Sequence, residues 1–480
     1  MRETQAHHMK YISTRGAAPP VSFTQMLLAG LAPDGGLYLP EAYPQLSQAT
    51  IASFAGRSYE EAAQAVLMPF VAGEIDAGAL RGMIEAAYAD FRHKAIAPLT
   101  QLDSNLFVLE LFHGPTLSFK DLAMQLLAKL IDHVLKVRGE RATIVGATSG
   151  DTGAAAIEAF AGLAQVDVFI LYPHGRISEV QRRQMTTAAA ANIHVIALEG
   201  TFDDAQACVK NMFNHGTLRD ELNLCGVNSI NLARIVFQTV YYFTSAAALG
   251  GPHRTISFVV PTGNFGNILA GWMAKRMGLP IDRLVIATNS NDILTRTLAS
   301  GDYIVQKVHP TQSPSMDIQV SSNFERLLFE AHGRDAGALC RLMAGLRQSQ
   351  GFAIEPGPLH AIRAEFDSFS VAEAETTREI AQNWCETGFL ADPHTAVGMS
   401  AARKAKAQAS ESPLVVLSTA HPAKFPAAIA HATGMRPDLP GHLADLFERK
   451  EKFSILPSDQ REIERFIYAR AARASNWAAL

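Results

Sequence analysis

The chain has 480 residues, of which 48% are hydrophobic and 18% charged, and its formal net charge is −4. This balance is typical of a globular protein with two or three packed domains and excludes a disordered or fibrous chain. A net charge so close to zero provides no overall attraction for nucleic acid or an anionic membrane, so any anion binding must be local. We therefore expect neither nucleic acid nor a membrane as a partner.

The cysteines and the N-terminal residues indicate the compartment. Four cysteines are widely separated, without a CxxC pair or a nearby histidine to complete a zinc site, which predicts a reduced compartment and no metal ion. No apolar run reaches the roughly 18 residues that span a bilayer, and "MRETQAHHMKYIS" lacks the apolar core of a secretory signal. We expect a cytoplasmic protein. The polar segment before Met9 has no packing pattern, and the sequence does not decide its origin.

Short β-rich runs alternate with longer helical patterns between about residues 140 and 290, which predicts βαβ units and a largely parallel sheet. In chain order, the strand-like "RATIVGA" leads into the glycine-rich "TSGDTG" and then into the helical "AAAIEAFAGLA". The strand-like "VDVFILY" and "IHVIAL" follow, and residues 230–249 have a helical pattern.

A second unit of strand, loop and helix then appears as "TISFVVP", "TGNFGN" and "ILAGWMAKRMG". The run "RLVIAT" continues the sheet, and "PLVVLSTAHPAKF" adds a strand near the C-terminus. The two glycine-rich loops lie at residues 148–153 and 262–267. Because ligands collect at the carboxyl ends of parallel strands, the two units predict two sheets that face one ligand.

The loop "TGNFGN" can direct several backbone N–H groups at an anion, since it lies between a strand and a helix N-terminus. It lacks the Lys-Ser/Thr pair of a Walker A loop and is not GxGxxG, which argues against ATP and dinucleotides. Alone, the loop fits a tight strand-to-helix connection equally well. The hydroxyl groups of Thr148, Ser149 and Thr152 in the other loop favour a phosphate ligand.

Lys120 lies in "HGPTLSFKDLAMQLL", directly after Phe119 and before an apolar helical pattern. An isolated lysine in this position is most often a surface residue whose stem packs on apolar neighbours. A lysine that forms an imine must instead lose its proton, and partial burial lowers its pKa toward that form.

These segments together resemble threonine synthase, a fold type II pyridoxal-phosphate enzyme, and most closely its bacterial and fungal form. The resemblance extends from Met9 to about residue 440 and is carried by an ordered series of motifs: "YISTRG", "LAPDGGLYLPE", "HGPTLSFKD", "GATSGDTGAAAIEAF", "NSINLARI", "PTGNFGN", "SPSMDIQVSSNFERLLFE", "DPHTAVG" and "STAHPAKF".

The resemblance implies an α/β fold of the tryptophan synthase β type. Two open, mostly parallel sheets would carry helices on both faces, and the cofactor would lie in the cleft between domains. The expected organisation is an N-terminal family-specific region over 9–95, a lysine-bearing α/β domain over 96–225 and a larger α/β domain over 226–480.

The resemblance also implies the cofactor and its ligands. Lys120 would hold pyridoxal 5′-phosphate as a Schiff base, and Thr419 would face the pyridine nitrogen, leaving it largely unprotonated. The cofactor phosphate would be bound by Gly263, Asn264, Phe265, Gly266 and Asn267.

For the substrate, the resemblance makes Ser149, Gly150 and Thr152 candidates to bind the carboxylate. A second anion site is expected to combine hydroxyl, amide and guanidinium donors from segments the family keeps near the cofactor, namely Thr116, Ser229, Asn231 and Arg234. For Arg234 an exposed structural ion pair remains open, and Asp151 either orients neighbouring hydroxyls or caps a helix. No catalytic role is assigned to His113, His394 or His421.

The implied reaction converts O-phosphohomoserine and water into L-threonine and phosphate by γ-elimination and β-addition, as a carbon–oxygen lyase in the last step of threonine biosynthesis. Alternatives are another fold type II lyase, such as a serine or threonine dehydratase, and a non-catalytic relative that binds a phosphorylated metabolite. "SPSMDIQVSSNFERLLFE" and "LAPDGGLYLPE" argue against the first, whereas Lys120, the "TGNFGN" loop and Thr419 argue against the second. The expected partner is this small-molecule substrate, and a monomer is expected rather than a dimer.

Overall fold

The computed structural model describes residues 8–406 and 412–471. The first seven residues of the N-terminal segment, and residues 407–411 and 472–480 of the predicted larger domain, lie outside the described residues. No helix within the described ranges is long and apolar enough to cross a membrane.

The described part of the chain alternates strands and helices. The strands are β1 (Tyr11–Ser13), β2 (Tyr38–Pro40), β3 (Leu99–Asp103), β4 (Leu106–Glu110), β5 (Ala142–Ala147), β6 (Val166–Pro173), β7 (Ile193–Glu199), β8 (Leu224–Cys225), β9 (Ile256–Pro261), β10 (Ile281–Thr288), β11 (Asp302–Ile304), β12 (Gly351–Ala353), β13 (Phe366–Ser370), β14 (Leu414–Ser418) and β15 (Ser454–Pro457). One-turn 3₁₀ helices occur at Pro314–Met316, Pro422–Lys424 and Gly441–Leu443.

The α-helices are α1 (Phe23–Ala29), α2 (Gln48–Ala52), α3 (Tyr59–Val71), α4 (Ala77–Tyr88), α5 (Lys120–Arg138), α6 (Asp151–Phe160), α7 (Glu179–Thr186), α8 (Phe202–Asn214), α9 (Gly216–Leu222), α10 (Leu232–Ala248), α11 (Gly266–Arg276), α12 (Ile293–Ser300), α13 (Phe324–Ala331), α14 (Ala336–Ser349), α15 (Pro356–Glu365), α16 (Glu373–Thr387), α17 (Pro393–Lys406), α18 (Pro426–Thr433) and α19 (Gln460–Tyr468).

Two sheets carry the fold. The six-stranded sheet has the order β13-β10-β9-β14-β4-β3, and its strands pair in parallel except for β3 with β4. The five-stranded sheet has the order β15-β7-β6-β5-β8 and is parallel throughout. The predicted α/β class with two mostly parallel sheets is therefore confirmed.

Helices cover both faces of the five-stranded sheet, because alternate side chains of its strands point to opposite sides. Ile144 and Val168 belong to the core shared with α5 and α6. Val145 and Phe169, one residue further along, pack with α8, α9 and α19 instead. The buried apolar run of β6 follows from this double coverage, which is typical of parallel sheets.

The sheets do not follow the predicted divisions of the chain. Strands β3 and β4 lie inside the predicted range 96–225, yet they pair in the six-stranded sheet beside β14. Strand β15 lies inside the predicted range 226–480, yet it extends the five-stranded sheet beside β7. The physical reason is strand pairing between distant parts of the chain, which no linker composition marks. Each sheet is therefore discontinuous in sequence.

The N-terminal region packs on helices that lead to the cleft. Helix α3 contacts α10, and α4 contacts both α3 and α5. Helices α1 and α3 begin with capping boxes, in which Ser22 pairs with Gln25 and Ser58 with Glu61, so their first N–H groups are satisfied locally. This region supports α5 and α10, whose N-terminal residues reach the cleft.

Candidate active site

A cleft with about 770 Å³ of empty space, part of it open to solvent, lies at the carboxyl ends of β5, β9 and β14. This is the expected position for a ligand in a parallel α/β protein. Its walls are formed by Phe119, Lys120, Asp151, Thr152, Ser229, Arg234, Gln238, Pro261, Thr262, Gly263, Asn264, Phe265, Gly266, Asn267, Ile268, Ser315, Met316, His394, Thr419 and Ala420.

Backbone pairing places Lys120 in this cleft. The Phe119 N–H donates to the Thr419 carbonyl at 2.9 Å, and the His421 N–H donates to the Leu117 carbonyl at 3.0 Å. Leu117 adopts a left-handed conformation with φ of 63°, which turns the chain before α5 begins at Lys120. The lysine is only 9% exposed, so the surface position that an isolated lysine would favour is excluded.

The Lys120 ammonium bridges the two sheets. Its Nζ lies 3.1 Å from Asp151 Oδ2 and 3.2 Å from Ser315 Oγ. Asp151 is the first residue of α6, which follows β5 of the five-stranded sheet. Its side chain does not cap that helix. Burial alone would raise the pKa of Asp151, but the nearby ammonium groups of Lys120 and Lys424 hold it well below its usual range.

The loop after β9 is closely packed against the segment that carries Ser315. A Cβ atom added to Gly263 would lie 2.7 Å from the Ser315 carbonyl oxygen, so glycine is required at this approach. Ser321 Oγ donates to the Gly263 carbonyl at 2.8 Å. Phe265, with φ of 63°, turns the chain into α11, whose N-terminal N–H groups consequently face the cleft.

Two tyrosine hydroxyls orient the Asn267 side chain. Tyr241 and Tyr242 donate to Asn267 Oδ1 at 2.6 and 3.0 Å. The Nδ2 donor of the same amide is buried and has no partner within the described residues. A buried donor without a partner is costly, so it indicates a ligand that supplies the acceptor.

Arg234 provides a second unsatisfied donor in the cleft. It is 3% exposed, and its NH1 donates to the Val227 carbonyl at 3.0 Å, whereas its Nε is buried without a partner in the part of the chain that the structure describes. Burial lowers the pKa of Arg234 to about 10, so the guanidinium is still charged at neutral pH. The alternative that Arg234 forms an exposed structural ion pair is therefore wrong. The buried positive charge makes this side chain suitable for binding an anion.

Asn323 ties the two ligand-facing segments together. Its Nδ2 donates to the carbonyls of Ser229 at 3.1 Å and Asn264 at 2.9 Å. The fully buried Arg326 contacts Asn323 Oδ1 and donates to the carbonyls of Tyr38 at 2.8 Å and Ile230 at 2.7 Å. Arg326 and Asn323 thereby link the Tyr38 carbonyl of the N-terminal region to the segments that carry Ser229 and Asn264.

The structure does not bring every residue predicted to bind substrate into the cleft. Thr116 donates its hydroxyl to Asp121 Oδ1 at 2.6 Å, and Asn231 caps α10 while its Nδ2 donates to the Leu27 and Gly226 carbonyls. These side chains are used within the fold, and neither Thr116 nor Asn231 is among the residues that line the cleft. Ser229 and Arg234 do line the cleft.

The predicted carboxylate site is divided in the same way. Thr152 lines the cleft, whereas Ser149 and Gly150 lie in the turn before α6 and are absent from its walls. A Cβ atom on Gly150 would lie within 2.5 Å of Gln181, so this glycine allows close packing of α7. Thr148 accepts hydrogen bonds from the Gly150 and Gly153 N–H groups and so fixes the turn.

Sequence reasoning did not single out Ser315, Asp392 or Lys424, and it assigned no catalytic role to His394, which lines the cleft. The Ser315 N–H donates to His394 Nε2 at 3.2 Å, and His394 Nδ1 lies 2.7 Å from Asp392 Oδ2. Lys424 is fully buried beside Asp151. The sequence offered one signal for Lys424, which lies among small and apolar residues in "STAHPAKF". A lysine in such a setting is buried only when it has a partner, so a nearby carboxylate could have been expected.

Comparison with known proteins assigns this arrangement to a family. Residues 10–88 match the family model "Threonine synthase N terminus", residues 92–356 match "Pyridoxal-phosphate dependent enzyme" and residues 395–467 match "Threonine synthase, C-terminal". The threonine synthase of Pseudomonas aeruginosa is 52% identical over 460 residues, which cover 96% of this chain and 98% of that protein.

The chain belongs to the threonine synthase family. The structure of a PLP-bound threonine synthase from Brucella melitensis is 57% identical, with a TM-score of 0.93 over 97% of this chain and 100% of that one. The yeast threonine synthase structure is 38% identical, with a TM-score of 0.91 over 98% and 99% of the two chains. The resemblance seen in the motifs is confirmed over nearly the whole chain.

The residues of the cleft fit pyridoxal phosphate, the cofactor named by the family model of residues 92–356. The N-terminus of α11 and the unpartnered Asn267 Nδ2 are donors of the kind a phosphate or phenolate oxygen accepts. Thr419 and Lys120 lie in the same cleft, and Lys120 carries the one kind of side chain that can form an imine with an aldehyde.

Proposed function

We propose that this chain converts O-phosphohomoserine and water into L-threonine and inorganic phosphate, with pyridoxal phosphate as cofactor. The observation that carries the proposal is the presence, in one cleft, of a buried lysine, the α11 N-terminus and a second buried cation, Arg234. Two phosphate groups must be accommodated when cofactor and substrate are both present. One lysine and two separate sets of anion donors meet that requirement.

The cofactor-holding residues are proposed from their positions. Lys120 attaches the cofactor, and residues 263–267 hold its phosphate with backbone N–H groups at the start of α11. Thr419, at the end of β14, offers a neutral hydroxyl to the pyridine nitrogen. When bound, pyridoxal phosphate delocalises the electron pair left on the substrate α-carbon after its proton is removed.

Lys120 is proposed to carry the protons. Its neutral amine accepts the α-proton of the substrate and can return protons to later carbon positions from the same face. Ser315 Oγ, 3.2 Å from Nζ, fixes the direction of the amine. Loss of phosphate from the γ-carbon and addition of water at the β-carbon balance the reaction without any oxidant or reductant.

Substrate binding is proposed to use groups on two sides of the cleft. The guanidinium of Arg234 and the hydroxyl of Ser229 bind the substrate phosphate. Thr152 binds the carboxylate at the N-terminus of α6, where the helix dipole favours an anion, and the turn at Ser149 and Gly150 is proposed to contribute from beside the cleft.

We also propose that the protein acts as a monomer in the cytoplasm. All of the groups proposed above come from one chain, so the site needs no second copy, which supports a monomer. The four cysteines are free thiols, which supports a reduced compartment such as the cytoplasm. Light scattering of the purified protein checks the assembly, and a stable dimer would contradict it.

The purified protein is expected to release phosphate and threonine from O-phosphohomoserine in equal amounts. The variant Lys120→Ala is expected to lose the visible band of the bound cofactor and about 10⁴-fold in rate, because it lacks both the attachment point and the proton carrier. Absorbance spectra and product assays measure both effects. Phosphate release without threonine would identify another lyase, and a parent protein without a cofactor band would identify a non-catalytic binding protein.

The variant Arg234→Met is expected to keep the cofactor band but to lose about 100-fold in kcat/KM, because the buried cation for the substrate phosphate is removed. Inhibition by inorganic phosphate should weaken in parallel. Arg81→Met, which removes an exposed pair with Glu85, is the matched control and should behave as the parent. Unchanged phosphate inhibition in the Arg234 variant would refute the assignment.

A further inference from the structure

A second buried lysine lies behind the cofactor lysine. Lys424 is 0% exposed in the one-turn helix after β14, where its Nζ donates to the Thr116 carbonyl at 2.6 Å and lies 3.0 Å from Asp151 Oδ1. A buried ammonium is costly unless it is paired and hydrogen-bonded. Nothing in the proposed reaction uses this group, so its burial calls for a physical explanation.

The Asp151 carboxylate is shared between the two lysines. Oδ2 faces Lys120 Nζ at 3.1 Å and Ser315 Oγ at 3.3 Å, whereas Oδ1 faces Lys424 Nζ at 3.0 Å and accepts from Gln181 Nε2 at 2.9 Å. Each oxygen of the carboxylate therefore has one ammonium partner and one neutral partner.

This arrangement resolves a conflict at Lys120. A buried carboxylate beside one lysine would favour the ammonium form of that lysine, since the pair would be neutral only while the proton stays. Condensation with the aldehyde of pyridoxal phosphate needs the free amine, which forms a carbon–nitrogen double bond as the aldehyde oxygen leaves as water. With a second ammonium present, Asp151 keeps a cationic partner after Lys120 has lost its proton.

We propose that Lys424 is a positioning residue that shares the Asp151 carboxylate with Lys120 and so allows Lys120 to release its proton for cofactor attachment. The proposal rests on the proposed attachment of the cofactor to Lys120. It adds a role for a residue that touches neither cofactor nor substrate, acting through Asp151.

The other charged groups that influence this cluster lie on α10, α17 and α5. Burial lowers the pKa of Lys120, Asp151 raises it, and Lys424 together with Arg234 on α10 lowers it again, so the net shift is downward. His394 on α17 lowers the pKa of Asp151. Burial raises the pKa of Asp121 on α5 to about 6, and Lys424 acts in the opposite direction by lowering it.

The test follows the uptake of pyridoxal phosphate by the cofactor-free full-length chain, measured by the rise of the absorbance band at several pH values. The rate depends on the neutral amine of Lys120, so its pH midpoint reports the ease of proton loss. Lys424→Met is expected to raise that midpoint by about one pH unit, because a cation near Lys120 is removed. Asp151→Asn is expected to lower it, because the anion is removed.

A purely structural role for Lys424 would change stability but would not shift the midpoint in opposite directions in the two variants. Lys406→Met is the control, since Lys406 on α17 forms an exposed pair with Asp103, and it should keep the parental midpoint. Circular dichroism establishes that each variant is folded. A folded Lys424→Met protein with the parental midpoint would overturn the proposal.

If Lys424→Met does not fold, the Asp151→Asn variant still tests the proposal. A pH midpoint of uptake at or above the parental value in that variant would overturn the proposal that the two lysines share the carboxylate. The variant Lys120→Ala separates this inference from the proposed function. Uptake by Lys120→Ala at the parental rate would refute attachment at Lys120 itself. Abolished uptake there, with no shift in the Lys424 variant, would refute only the role of Lys424.

Discussion

A buried carboxylate between two buried ammonium groups joins the two sheets at the cleft. Asp151 starts the helix that follows β5, whereas Lys120 and Lys424 follow β4 and β14 of the other sheet. Removing the Asp151 carboxylate would leave two ammonium groups without a counter-charge away from water, which is strongly unfavourable. The relative position of the loops that face the ligand therefore depends on this cluster, and so does the protonation of Lys120.

Arg326 of α13 supports the opposite wall of the cleft. Arg326 is fully buried and reaches the Tyr38 carbonyl of β2 as well as the segment around Ile230, and through Asn323 it supports the backbone of Asn264. Burial lowers the pKa of Arg326 to about 9, so it remains a cation surrounded by carbonyl oxygens. The Tyr38 carbonyl of the N-terminal region is thus linked, through Arg326 and Asn323, to the loop at residues 263–267.

The sequence predicted the strand, loop and helix units because apolar runs and glycine-rich turns are local signals, and the order of motifs predicted the family. It did not predict the division into sheets, since β15 joins the distant β7. Nor could residue type separate Thr116 and Asn231, used for a local hydrogen bond and a helix cap, from Ser229 and Arg234 in the cleft. Contacts between residues that are far apart in the sequence decide these roles, as they do for Asp151 and Lys424.

We propose that Lys120, and not its buried neighbour Lys424, binds the cofactor covalently. Borohydride reduction of the cofactor-loaded protein, followed by mass spectrometry of its peptides, fixes the cofactor to the lysine that carries it. A single added pyridoxyl phosphate is expected on the peptide that contains Lys120. Modification of Lys424 instead, or no covalent adduct at all, would contradict it.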